Sequence, residues 1–181
     1  MKLTNARNGY GTVSLALHWV MLLLLVAVYA TMELKSIYPR GSAGRAGIMG
    51  WHYMLGLAAF ALIWVRLAFR HLGTKPVIEP APPAWQNHLA ALVHVLLYAL
   101  MIALPLLGWL VLSAKGESIP FFGMELQPLI GENVSLGKQL KEVHETIATA
   151  GYFIIGLHAL AALFHHYILR DNTLKLMMPR H

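Results

Sequence analysis

Cysteine is absent from this chain of 181 residues. Disulfides, thiolate metal sites and iron–sulfur clusters are therefore excluded, and any cofactor must be held by nitrogen, oxygen or thioether ligands. Charge is scarce too: 12% of residues are charged and 57% hydrophobic, with a mean hydropathy of +0.58. This is the composition of a membrane protein. The net charge of +6 comes without any basic patch interleaved with aromatics. The basic side chains sit instead at the ends of apolar runs, where topology signals lie. Nucleic-acid binding is set aside on that ground.

Four apolar runs are present, at about 13–32, 48–69, 89–113 and 143–169. Each reaches the ~20 residues that a bilayer span needs. The chain thus has room for a single membrane domain, 1–181, that is all-α: an integral membrane four-helix bundle. Lys2 and Arg7 before the first run imitate a signal-peptide n-region. That run exceeds a usual h-region, however, and Tyr29-Ala30-Thr31-Met32-Glu33 is a poor cleavage site, so the helix is expected to be retained. Pro76, Pro80, Pro82 and Pro83 make the second connection stiff and extended. Pro105 and Gly108 suggest a kink in the third run. The partly apolar loop 115–137 is expected to fold back over helix ends.

Lysine and arginine set the orientation. One side holds Lys2, Arg7, Arg66, Arg70, Lys75, Arg170, Lys175 and Arg180 against Glu79 and Asp171. The other holds six basic and six acidic residues. Both termini are expected in the cytoplasm, with a lipid bilayer as the protein's surroundings.

Ionisable groups inside such spans are costly and mark function by default. The last run carries His144, His158, His165 and His166. His144 and His158 share nearly one helix face, roughly 21 Å apart along the axis at about 1.5 Å per residue. His18 begins the first run at the inner face, and His52 begins the second at the outer face. By depth these sort into two pairs, His52 with His144 and His18 with His158. Two axial ligands for each of two stacked haems is the reading that uses this spacing best. Bis-imidazole ligation suits electron transfer and leaves no iron position vacant for oxygen. The alternative is interior histidines bonded to helix carbonyls. By span counting, His165 matches the depth of His18 better than His158 does. A tilted helix, and the need to keep the second haem out of the headgroups, favour His158. His94 is read as a neighbour of the site or a hydrogen-bonded core residue. Arg66 either snorkels to the interface or pairs with a haem propionate. With no Cys-x-x-Cys-His, the haems must be non-covalent.

The HW at 18–19, YATMEL at 29–34, ALPLLG at 103–108, HET at 144–146, GYFIIGLHALAALFHHY at 151–167 and DNTLKLMMPR at 171–180 together resemble the bacterial cytochrome b561 family. The likeness covers essentially the whole chain. Among family members it is most similar to the enterobacterial ones, one of which acts as a superoxide:ubiquinone oxidoreductase. The resemblance implies two haems b, ligated at His18 with His158 and at His52 with His144. It also implies a ubiquinone site beside the cytoplasmic-side haem, close to His165. Where that member has a serine two residues before the first ligand, this chain has Ala16, with Ser14 two further back as the candidate contact.

The function expected is that of a superoxide oxidase, with superoxide as donor, ubiquinone as acceptor and no obligate protein partner. His165 would hydrogen-bond a quinone carbonyl and help deliver a proton. Lys35, Arg40, Arg45, Lys115, Lys138 and Lys141 would steer the anion. The rivals are an electron-relay subunit serving a periplasmic hydrogenase or dehydrogenase, and a non-redox transporter or metal-binding membrane protein.

Overall fold

The computed structural model of the protein describes residues 5–6 and 9–178. Lys2, Arg7 and Arg180, used in the charge count, lie outside them. The described chain is mostly helical, and four helical segments are long and apolar enough to cross a membrane. Their α-helices are α1 (Thr12–Leu34), α2 (Ala43–His71), α3 (Ala84–Lys115) and α4 (Val134–Phe164). The first three extend beyond their apolar runs at both ends and α4 begins nine residues before its own, because local chemistry, not hydrophobicity, sets these ends. Ser42 Oγ accepts the Arg45 N–H at 3.3 Å ahead of α2. Asn133 Oδ1 accepts the Leu136 N–H at 3.0 Å ahead of α4. Both are N-caps satisfying an otherwise orphan donor. Pro105 lies inside α3 without ending it. Beyond α4 comes a π-helical turn, His165–Leu169, closed by Arg170 in the left-handed region (φ 54°).

The chain divides into two compact units. One comprises 21–63 and 100–148 and contains the loop after α3. That loop forms a two-stranded antiparallel hairpin, β1 (Pro120–Phe121) with β2 (Met124–Glu125). Phe122 (φ 45°) and Gly123 (φ 86°) make its turn, both in the left-handed region that tight hairpins require. The hairpin packs back as expected: Ile119 joins Leu57 and Leu112 in a buried cluster edged by Tyr53, Trp109, Phe121 and Leu126. Burying an isoleucine of this kind is worth about 1.5–3 kcal/mol. Polar ties reinforce it, with Trp109 Nε1 donating to the Gln127 carbonyl at 3.0 Å and the Leu129 N–H to Ser113 Oγ at 3.0 Å.

The other unit comprises 1–20, 64–99 and 149–181. Here Asn172 fastens the tail to the proline-rich connection. It donates from Nδ2 to the Val77 carbonyl (3.2 Å), accepts the Glu79 N–H at Oδ1 (2.9 Å), and donates its own N–H to the Glu79 carbonyl (3.0 Å). Trp19 Nε1 donates to the Met177 carbonyl at 2.9 Å. Outward-facing positions on the helices are large and apolar, among them Leu23, Trp64, Leu92, Phe153 and Leu160. Such side chains belong in hydrocarbon, where a helix satisfies its own backbone.

Candidate functional site

In the unit carrying the hairpin, His52 of α2 and His144 of α4 face each other with ring centroids 6.3 Å apart. His52 Nδ1 lies 3.2 Å from the Val28 carbonyl and 3.1 Å from Thr31 Oγ1. The Thr31 hydroxyl itself donates to the Val28 carbonyl. A carbonyl only accepts, so the His52 proton belongs on Nδ1 and Nε2 keeps its lone pair. His144 stands against Gly108 of α3, where an added Cβ would come within 3.5 Å of its Cε1. His144 Nδ1 is buried and makes no hydrogen bond of ordinary geometry among the described residues. Tyr29 ties α1 to α4 here, its hydroxyl donating to the Ala148 carbonyl at 3.0 Å.

The unit carrying the termini holds a second pair. His18 of α1 and His158 of α4 also have centroids 6.3 Å apart. His94 of α3 packs edge-on against His158 at 5.4 Å, making a third imidazole in the group. Arg66 of α2 donates from Nη2 to His18 Nδ1 at 3.0 Å. Its Nη1 is buried without a partner among the described residues. A guanidinium cannot give up its charge, so this donor is suited to an anion. Arg70 lies against Tyr98, 5.0 Å from the ring centroid, and donates to its hydroxyl at 2.9 Å. Ser14 Oγ is buried and likewise unpartnered among the described residues.

The shared 6.3 Å separation has a chemical meaning. Two imidazoles at this distance are too far apart to touch ring to ring and leave room between them for one metal ion. Among the described residues no group of three or more histidine or acidic side chains converges as a metal-binding set. Two nitrogens hold a bare ion poorly. They suit a metal whose remaining ligands arrive with it, as in a haem. The residues present therefore fit a bis-imidazole haem in each unit.

His165 occupies the first position of the π-helical turn, and its Nδ1 lies 2.5 Å from Asp171 Oδ2. Asp171 Oδ1 accepts the Thr173 N–H at 2.8 Å. Burial pushes the Asp171 carboxyl up, but the hydrogen bonds from His165 and Thr173 outweigh it and leave it below its ordinary value. Sequence reading missed Asp171 and Thr31 as site residues. Asp171 carried a usable signal, a carboxylate at the C-terminal end of a helix, where the dipole favours cations.

A family model described as prokaryotic cytochrome b561 matches residues 9–180. Cytochrome b561 homolog 1 of Escherichia coli (strain K12) is 42% identical over 173 residues, covering 96% of this chain and 98% of its own. The probable superoxide oxidase CybB of Yersinia pestis is 36% identical over 171 residues, covering 94% and 96% respectively. Cytochrome b562 of Cereibacter sphaeroides is 29% identical over 177 residues, covering 95% and 97%.

Proposed function

The chain belongs to the prokaryotic cytochrome b561 family of haem-b electron-transport membrane proteins, and from that premise we propose that it oxidises superoxide and passes the electrons to ubiquinone. The observation that carries the reading is the pair of facing imidazoles found in each unit at one and the same separation. The name of the Yersinia pestis relative, probable superoxide oxidase, supports the choice of donor.

Haem b, when bound, supplies a one-electron couple that is closed to oxygen by its two imidazoles. His52 and His144 would hold one such group, and His18 and His158 the other. His52 is ready to ligate, with Nδ1–H on the Val28 carbonyl. His18 is not: to present Nε2 it must carry its proton on Nδ1, so Arg66 must leave that nitrogen. The guanidinium is then free to meet a propionate carboxylate. Lys115 and Lys141 are paired with Glu117 and Glu145. Steering of the superoxide anion therefore falls to Lys35, Arg40, Arg45 and Lys138. Ubiquinone meets His165, with Ser14 as a second polar contact, on the cytoplasmic side of the inner membrane, where both termini lie.

The test is the purified protein alone with a superoxide source and a soluble ubiquinone. We expect one ubiquinol for every two superoxide anions consumed, with no second polypeptide. If quinone reduction requires an added dehydrogenase or hydrogenase, the chain is instead a relay subunit.

A further inference from the structure

The turn after α4 places a carboxylate where the helix dipole opposes it. Asp171 is buried, its side chain 2% exposed, and a buried carboxylate is costly unless paired. Its pairing is specific. Oδ2 meets His165 Nδ1, Oδ1 accepts the Thr173 N–H, and the Asp171 N–H donates to the His165 carbonyl at 3.2 Å. The contact closes the π-helical turn His165–Leu169, with Arg170 in the left-handed region between the turn and Asp171.

We propose that Asp171 is a positioning residue for quinone reduction, keeping the His165 proton on Nδ1, fixing the ring, and stabilising the imidazolium whose Nε2–H is given to the quinone. The inference rests on the proposed role of His165. A carboxylate brings a full negative charge to His165 Nδ1 where a backbone carbonyl would bring only a dipole. Ubiquinone takes two electrons, which originate in two superoxide anions leaving as two dioxygen molecules, and two protons. For the carbonyl that His165 faces, the His165 Nε2–H bond breaks as the quinone O–H bond forms, and the opposite carbonyl takes its proton from solvent. The ring is left neutral, with Nδ1–H still on Asp171. Nε2 then reloads from water, for which the side chain, 19% exposed, remains accessible.

The tail has ties besides this carboxylate. Asn172 holds the tail to the Val77 and Glu79 backbone, and Leu176 is buried beyond it. Asp171→Asn keeps the shape and removes the charge.

The experiment measures ubiquinol formation from superoxide, at varied quinone and in H2O and D2O, for the full haem-loaded protein and four variants. In Asp171→Asn we expect both haems retained and the maximal rate lowered at least fivefold. The half-saturating quinone concentration should stay within twofold, and the solvent isotope effect should rise. Asp171→Glu should recover part of the rate. Asn172→Ala loosens the same tail without touching the charge and should stay within twofold of the parent. An equal loss in Asn172→Ala, or an unchanged rate in Asp171→Asn, would overturn the inference while leaving His165 in place. An unchanged rate in His165→Leu would remove the reading beneath it as well. Should Asp171→Asn lose a haem, the decision passes to Asp171→Glu, which keeps the carboxylate: with both haems retained, a rate recovered above that of His165→Leu supports the role and a rate no higher than that of His165→Leu contradicts it.

Discussion

At the residue scale, identical side chains are prepared differently by their neighbours. His52 has a carbonyl to hold its Nδ1 proton, whereas His18 has a guanidinium on the same atom. One histidine is pre-set for ligation, and the other requires a neighbour to move first. If His52 and His144 share one iron, His52→Ala and His144→Ala must each delete the same haem and spare the other. Redox difference spectra of the two variants check this, and loss of spectrally different haems would separate the pair. His165 is predicted to act after the haems. His165→Leu should keep both haems and leave their reduction by superoxide fast. Stopped-flow reoxidation by ubiquinone should slow more than tenfold, about 1.4 kcal/mol or more of lost transition-state stabilisation.

At the element scale, the helix ends are set by polar caps that hydropathy does not see. Asn133 is the clearest, because α4 starts in polar sequence well before its apolar run. Asn133→Ala should cost about 1 kcal/mol, within the 0.5–2 kcal/mol range of lost caps, read as a lowered thermal midpoint with an unchanged haem spectrum. The apolar runs themselves were readable, since a bilayer fixes the length of a span and a helix fixes its rise. The same regularity brought His52 and His144 together by depth, whereas pairing His18 with His158 and not His165 also needed helix tilt and a second haem kept out of the headgroups. It failed at His165, where counting at an α-helical pitch gives no warning of a π-helical turn and so none of the Asp171 contact. Thr31 was hidden for another reason, because its bond to His52 joins α1 to α2, and no pattern within a single run encodes it.

At the scale of the whole molecule, each compact unit draws on all four membrane helices and contains one facing histidine pair. Neither pair can be completed by one helix alone, so the cofactor sites and the packing of α1, α2 and α4 depend on the same contacts. His94 adds an imidazole to one pair and has no counterpart at the other among the described residues, so two haems held at these pairs should differ in spectrum. The most direct test of the account is the haem content of the purified protein, from acid-extracted haem b per chain together with low-temperature paramagnetic resonance of the oxidised iron. Two haems b per chain, both low-spin and distinguishable, are predicted. One haem per chain, or a high-spin signal showing an open axial position, would contradict the paired-histidine assignment.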